Sequence, residues 1–277
     1  MTLAPDFQFS QGSLQDYVDC PRRFQLRYIM RLAWPAVQAE PVAEYERHQQ
    51  LGQTFHRMVH QHLLGVPVES LSRFATEPDL ARWWQHYVDD RPAEVGAARY
   101  PELSLSTPVA GYRLVAKYDL VALTPGKQAI IFDWKTARKP TPRNWLATRL
   151  QTRVYRYVWV CAGTHLNNGL PVLPEQVAMV YWFAELPHAP ERFPYNADGY
   201  ASDAAYLTAL IEEIAHRPEG DFPLTGNERH CRYCPYRSLC ERGVQAGDFS
   251  VSEEALETEL DGLGLDIDFE QIAEIEF

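Results

Sequence analysis

An acidic and a basic side chain lie two residues apart at the end of an apolar run, in the segment AIIFDWKT. The run predicts a β-strand, on which residues i and i+2 share one face, so Asp133 and Lys135 project together. A carboxylate can hold a divalent cation, and a neighbouring ammonium can hold a water and stabilise negative charge developing on a phosphate. Taken alone, the segment also fits a simple Asp–Lys ion pair at a strand end.

Asp119 supplies a second carboxylate, at the end of AKYD and before a Pro125-Gly126 turn. A two-residue loop pairs residues whose numbers sum to 251, which places Asp119 and Asp133 on opposite faces. A three-residue loop or a bulge changes the sum to 252 and sets the two carboxylates opposite each other, and we predict this register. Two adjacent carboxylates repel unless a cation lies between them, and oxygen ligands suit Mg²⁺ or Mn²⁺.

Apolar periodicity predicts helices first, then a meander of strands, then helices and a strand in alternation. The predicted helices cover residues 10–32, 48–65, 78–90, 143–163 and 203–218. The predicted strands cover residues 100–109, 112–123, 128–136 and 175–184. Ser10 or Ser13 is expected to cap the first helix, which Pro21 breaks or restarts. This order predicts an α/β or α+β core.

Charge is segregated along the 277 residues, whose net charge is −11. Residues 251–277 contain ten acidic residues and no Lys or Arg, which leaves 27 acidic and 26 basic residues elsewhere. Residues 134–174 contain seven Lys or Arg and no Asp or Glu. Such a stretch is either an ordinary solvated face or a nucleic-acid surface. The acidic tail is either a solubilising segment or one that covers this surface or recruits a partner.

Further polar residues lie on the elements around the two aspartates. Glu102 lies on the strand before Asp119, and His56 lies on the helix predicted at 48–65. Gln151 and Tyr155 have i, i+4 spacing and share a helix face that could contact a phosphate or a base. Alternatively, His56 is a helix histidine with a hydrogen bond in the core, and Gln151 and Tyr155 make ordinary surface packing contacts.

In this order the segments resemble the PD-(D/E)XK nuclease superfamily, in its RecB-type branch. LGQTFH resembles the G-x-x-x-H helix motif, YPELSLS the segment with the leading glutamate, and LVAKYDLV the segment with the first metal aspartate. IIFDWKT resembles the D-x-K strand and LQTRVY the Q-x-x-x-Y helix. The resemblance covers about residues 10–242. One departure is that Asp119 follows a tyrosine where the family has a proline.

The resemblance implies an α/β fold with a mixed central sheet flanked by helices. It implies that Asp119 and Asp133 bind Mg²⁺ or Mn²⁺ with His56 as a further ligand, and that Lys135 positions the attacking water. Glu102 would tune the site or bind a second metal. The residues expected to contact DNA are Gln151, Tyr155, Arg138, Lys139, Arg143, Arg149 and Arg153.

The implied activity is metal-dependent hydrolysis of DNA, with exonuclease action on single strands or DNA ends expected ahead of endonuclease action. Relatives act in repair, recombination and CRISPR adaptation, so a helicase or a CRISPR protein is an expected partner. The rival function is a catalytically inactive module of the same fold that binds DNA or a helicase.

The five cysteines are too few for a disulfide framework, and three of them have C-x₂-C-x₅-C spacing in CRYCPYRSLC. With Cys20 as a fourth ligand, the thiolates suit either Zn²⁺ or a [4Fe–4S] cluster, which spacing does not distinguish. One distant N-terminal Cys before this spacing resembles the iron-staple nucleases, including CRISPR-associated RecB-like exonucleases. The resemblance implies a structural [4Fe–4S] cluster on Cys20, Cys231, Cys234 and Cys240. Cys161, in an apolar helix, is expected to be a buried small hydrophobe.

We therefore expect one nuclease domain over residues 1–250 and an acidic tail over 251–277. No run of about 18 apolar residues occurs, so no membrane span is expected. The N-terminal segment MTLAPDFQFSQG lacks the basic-then-apolar layout of a secretory signal, so a cytoplasmic location is expected.

Overall fold

The computed structural model describes residues 3–32, 40–92, 98–137, 141–218, 220–231 and 234–243, with only the backbone described for 40–46. Arg138, Lys139 and the acidic tail at 251–277 lie outside the described residues. In the described part of the chain, no helix is long and apolar enough to cross a membrane.

Six strands form one mixed sheet in the described residues. They are β1 (Gln8–Ser10), β2 (Ala98–Val109), β3 (Tyr112–Thr124), β4 (Gln128–Lys135), β5 (Val177–Phe183) and β6 (Glu191–Pro194). The order is β1-β3-β4-β5-β6, and β2 pairs with β3 off this path. β1 is parallel to β3 and β4 is parallel to β5, whereas the other pairs are antiparallel.

Helices cover both faces of the sheet. They are α1 (Gln11–Asp19), α2 (Pro21–Phe24), α3 (Glu40–Leu63), α4 (Val68–Ser72), α5 (Pro78–Asp90), α6 (Arg143–Thr148), α7 (Leu150–Ala162) and α8 (Ala197–His216). A first core contains residues of α1, α7 and α8, and a second contains residues of α3, α4 and α5. The α/β fold with a mixed sheet flanked by helices is thus confirmed. All seven residues of β5 are buried, as expected for a strand covered on both faces.

β3 is the strand at which the sheet divides. β2 pairs with one edge of β3 along nearly the whole length of β3. β1 and β4 therefore share the other edge of β3, at residues 113–115 and 120–124. Between these two segments, no described strand pairs with that edge, and Asp119 lies there. Tyr118 and Val121 both pack in the first core although they are three residues apart, so the alternation of faces is interrupted at Asp119. The sheet therefore has a gap with an aspartate at its border.

Several sequence predictions need correction. The helix predicted over 143–163 is broken at Arg149, which has an extended backbone with ψ 141°. No Gly or Pro marks this break, across which the Thr152 hydroxyl donates a hydrogen bond of 2.6 Å to the Leu146 carbonyl. The helical region at 10–32 follows the prediction, because Ser10 caps α1 and Pro21 restarts the helix as α2 after the extended residue Cys20. Only the π-helical turn at Gln25–Ile29 was not predicted. β1, α4 and β6 were not predicted, because each has five residues or fewer and shows little periodicity.

Candidate active site

The turn between β3 and β4 sets the two aspartates opposite each other. Leu120 pairs with Phe132 and Thr124 with Gln128, so paired residue numbers sum to 252 and the loop has three residues. The predicted register is therefore confirmed. The next pair along the same register is Asp119 and Asp133, just beyond the last regular rung.

Asp119 is fixed by one side chain and one backbone group. Its Oδ2 accepts a hydrogen bond of 2.8 Å from the backbone N–H of Trp134 on β4. Its Oδ1 lies 3.4 Å from Nδ1 of His56 on α3. The Asp119 carboxylate thus accepts a hydrogen bond from β4 just beyond the end of the regular β3–β4 ladder. Through His56 it also links the sheet to α3.

Gly52 explains how α3 comes close enough to the sheet for His56 to reach Asp119. A Cβ atom at Gly52 would lie only 3.1 Å from Oγ1 of Thr136, the residue after β4. One turn earlier, Nε2 of His48 lies 3.2 Å from the Thr136 carbonyl oxygen. The glycine of the G-x-x-x-H segment therefore permits close helix–sheet packing, and the histidine one turn later lies beside the site.

Asp133 is buried and contacts two side chains that sequence analysis had singled out. Its Oδ1 accepts a hydrogen bond of 2.7 Å from Nε2 of Gln151 on α7. Its Oδ2 lies 3.1 Å from Nζ of Lys135 but has no aligned hydrogen bond within the described residues. A buried carboxylate oxygen is costly unless a cation or a proton compensates it, and the Lys135 ammonium is such a cation.

The acidities of the three titratable groups differ strongly. Burial raises the pKa of Asp133 to about 6, opposed by Lys135 and increased by Asp119. Burial also raises the pKa of Asp119, but His56 and the Trp134 N–H outweigh it, and the net pKa is lowered. Burial alone would lower the pKa of His56, yet the Asp119 carboxylate raises it to about 9. Metal-free protein near neutral pH therefore holds an ionised pair of Asp119 and protonated His56.

Glu102 faces Asp119 across the β2–β3 ladder, but its carboxylate has another partner. The pairs Pro101–Leu120 and Leu103–Tyr118 keep the same register, and the Glu102–Asp119 pair between them is distorted. Glu102 has φ 51°, the left-handed region that a non-glycine residue rarely adopts within a strand. Its Oε2 lies 2.8 Å from Nζ of Lys117. Glu102 is thus the register neighbour of Asp119 on β2, and its carboxylate forms an ion pair with Lys117.

The residues predicted to contact DNA have different surroundings. Gln151 points at Asp133, whereas Tyr155 is buried in the first core with its ring against Tyr118. Arg143 pairs with Glu191, and Arg153 pairs with the buried carboxylate of Asp203 at 2.7 Å. The guanidinium of Arg149 stacks 4.3 Å from the Trp145 ring. The DNA-contacting role of all of these residues stays a prediction.

The donors around Asp119 and Asp133 fit a divalent cation in chemical type. Two facing carboxylates and an imidazole are oxygen and nitrogen donors, and Oδ2 of Asp133 is paired with the Lys135 ammonium at 3.1 Å. Among the described residues, however, no three His, Cys, Asp or Glu side chains are grouped as a complete ligand set. The metal-binding roles of these three residues stay predictions.

The four candidate cluster cysteines lie where the N- and C-terminal parts of the described chain meet. His230 Nδ1 lies 2.9 Å from the Asp19 carbonyl oxygen, and Tyr236 donates a hydrogen bond of 3.0 Å to the Leu32 carbonyl. Burial raises the pKa values of the Cys231, Cys234 and Cys240 thiols, and the neighbouring Cys20 raises each further. Cys161 is half-buried on α7, with its Sγ 3.4 Å from the Tyr200 hydroxyl.

Comparison with known proteins identifies the family. A model of the PD-(D/E)XK nuclease superfamily matches residues 8–241. The chain belongs to the PD-(D/E)XK nuclease superfamily. The match to this superfamily includes both aspartates, Lys135 and all four candidate cluster cysteines. No curated protein matches the chain significantly.

Two solved structures are similar to this superfamily member. The protein SSO0001 is 15% identical with a TM-score of 0.41, over 85% of this chain and 86% of that chain. A candidate exonuclease from Eubacterium rectale is 9% identical with a TM-score of 0.48, over 79% of this chain and 84% of that chain. Nothing about the site follows from either similarity.

Proposed function

We propose that this protein is a metal-dependent deoxyribonuclease. The observation that carries the proposal is the juxtaposition of Asp119 and Asp133 across a gap in the sheet, with Lys135 Nζ 3.1 Å from Asp133 Oδ2. Mg²⁺ or Mn²⁺, when bound, supplies Lewis-acid activation of water and stabilises charge on the phosphate. Asp119, Asp133 and His56 would hold it.

Within this proposal, the chain's own residues divide the remaining work. Gln151 fixes Oδ1 of Asp133 through its amide, which sets the direction of the carboxylate. Lys135 directs its ammonium at the same carboxylate and positions the attacking water beside the scissile phosphate. The half-exposed Arg149 adds positive charge for the DNA backbone.

The finer assignment is an exonuclease of the RecB type that acts on single-stranded DNA or DNA ends, in one domain over residues 1–250. Repair, recombination or CRISPR adaptation is the proposed setting, with a helicase or CRISPR protein as partner and a cytoplasmic location. The motif order in the sequence supports the RecB-type assignment.

A cleavage assay tests the activity. End-labelled single-stranded and double-stranded DNA is incubated with Mg²⁺, Mn²⁺ or EDTA, for the wild type and for Lys135→Ala. We expect cation-dependent cleavage that falls by a factor of at least about 10² in the variant. DNA binding without cleavage under any condition would contradict the enzyme and favour a DNA-binding module of the same fold.

We also propose a structural [4Fe–4S] cluster on Cys20, Cys231, Cys234 and Cys240, with Zn²⁺ as the less favoured occupant. The electrostatic influence of Cys20 on Cys231, Cys234 and Cys240, where the N- and C-terminal parts of the described chain meet, supports it, although the described thiols are not grouped as a complete ligand set. Anaerobically purified wild type should be brown and contain iron, and Cys20→Ser should lose iron and unfold at a lower temperature. Cys161→Ser is the matched control and should keep its iron. A colourless zinc-containing wild type would contradict the cluster.

A further inference from the structure

Tyr181 adjoins both charged residues of the D-x-K segment. It is fully buried on β5 and is the register partner of Asp133 across the parallel β4–β5 ladder. The centroid of its ring lies 5.7 Å from Nζ of Lys135, which is within the range of a cation–π contact. The Lys135 ammonium therefore has an aromatic ring as well as a carboxylate for a neighbour.

The hydroxyl group of Tyr181 is committed to a different contact. It lies 2.6 Å from Oγ1 of Thr152, and that Oγ1 donates a hydrogen bond of 2.6 Å to the Leu146 carbonyl. A threonine hydroxyl has one proton, and a carbonyl can only accept, so Tyr181 must be the donor to Thr152. The hydrogen bonds therefore run in one direction, from Tyr181 through Thr152 to Leu146.

This chain of hydrogen bonds joins the sheet to the break between α6 and α7. Leu146 belongs to α6 and Thr152 to the first turn of α7, and the extended residue Arg149 lies between them. The residue before Thr152 is Gln151, whose amide reaches Asp133 Oδ1 at 2.7 Å. A contact that holds the start of α7 against β5 therefore also sets the position of Gln151.

We propose that Tyr181 is a positioning residue of the candidate active site. Its ring orients the Lys135 ammonium, and its hydroxyl, acting through Thr152, holds α7 so that Gln151 fixes Asp133. The part concerning Lys135 rests on the proposed nuclease function, whereas the part concerning Asp133 is tested by cation binding alone. A tyrosine that only fills the core would leave both properties unchanged in variants that fold normally.

The hydroxyl half is tested by Mn²⁺ titration of Tyr181→Phe, Thr152→Val and the double variant. Loss of an outer contact to a metal ligand weakens affinity roughly 10-fold, and we expect this in each single variant. The double variant should be no weaker than Tyr181→Phe, because both changes cut one connection. Tyr17→Phe is the control, since Tyr17 is a buried tyrosine that donates to Glu213. Unchanged Mn²⁺ affinity in Tyr181→Phe, or additive losses, would overturn this half.

The ring half is tested by comparing Tyr181→Leu and Tyr181→Met with Tyr181→Phe at saturating Mn²⁺ over a range of DNA concentrations. Because phenylalanine keeps the ring, we expect kcat to be about tenfold lower in the two aliphatic variants, with KM unchanged. Two aliphatic residues are used so that one misfit in the core does not decide the result, and thermal unfolding verifies folding. Equal kcat in folded variants would overturn this half. A wild type that binds Mn²⁺ without cleaving DNA would overturn the nuclease proposal, while the affinity comparison would still test the hydroxyl half.

Discussion

Asp119 and Asp133 face each other where β3 and β4 stop pairing, and each is held by a different part of the chain. Asp119 accepts from the Trp134 backbone and adjoins His56, whereas Asp133 accepts from Gln151 and adjoins Lys135. The two carboxylates therefore lie in unequal surroundings, and the pKa is lowered for Asp119 and raised for Asp133.

Replacing Asp133 by Asn should stabilise the metal-free protein at pH 8. The folded pKa of about 6 exceeds the unfolded value, so this group's contribution to stability is full below about pH 4 and is lost as the pH rises through 6. An ionised, buried Asp133 therefore costs roughly 1–3 kcal/mol at pH 8, which Asn avoids. Thermal unfolding in EDTA should show a higher midpoint for Asp133→Asn at pH 8 and a much smaller difference at pH 4.5.

Asp6→Asn is the matched control, because Asp6 is exposed and its replacement should not change the midpoint at either pH. A lower midpoint for Asp133→Asn than for the wild type at pH 8 would show that the ionised carboxylate stabilises the metal-free fold.

Stabilisation by Mg²⁺ should increase with pH between 6 and 9. The pKa of His56 is raised to about 9, so its charged form stabilises the metal-free fold fully below pH 6.5, and this contribution is lost as the pH rises through 9. A cation that takes His56 as a ligand must displace its proton, which costs up to about tenfold in affinity per pH unit. Unfolding midpoints with Mg²⁺ and with EDTA should diverge as the pH rises.

His56→Gln should reduce this divergence above pH 7, because glutamine carries no proton to displace. The same Mg²⁺ stabilisation at pH 6 and pH 9 in the wild type would remove His56 from the proposed ligand set.

Glu102→Gly should be more stable than Glu102→Ala. Both variants lose the ion pair with Lys117, but only glycine adopts φ 51° without a steric penalty. The expected difference in the free energy of unfolding is about 1 kcal/mol in favour of glycine, measured by urea denaturation. Ser104 is on the same strand and is not among the positive-φ residues, so there alanine should be the more stable replacement. The same ranking at both positions would mean that Glu102 is not strained.

Removing residues 251–277 should tighten DNA binding and steepen its dependence on salt. The deleted segment contains ten acidic residues and no Lys or Arg, and it would compete with phosphates for the basic residues of 134–174. Fluorescence anisotropy at several salt concentrations measures both quantities. Asn and Gln in place of the ten acids should reproduce the effect of the deletion, whereas equal affinity and slope in all three proteins would discard this role of the tail.

The sequence predicted the site's strands better than its surroundings. The Pro125-Gly126 turn located the hairpin and the D-x-K alternation placed Asp133 and Lys135 on one face, but the turn alone allowed two registers. The three-residue loop found in the structure selects the register that sets the aspartates opposite each other. The partners of Arg143 and Arg153 were not predictable, since Glu191 and Asp203 lie about 50 residues further along the chain. Tyr181 was missed because an aromatic residue in a continuous apolar run gives no sign that its hydroxyl joins two helices to the sheet.

The most direct test of the central claim is a Mn²⁺ titration, by calorimetry at pH 8, of the wild type and of Asp119→Asn and Asp133→Asn. Lys117→Met, which leaves both carboxylates in place, is the control. If the two carboxylates hold one cation between them, the wild type and the control bind Mn²⁺, and each aspartate variant loses at least about tenfold in affinity. Undiminished binding in either aspartate variant would contradict a shared cation site.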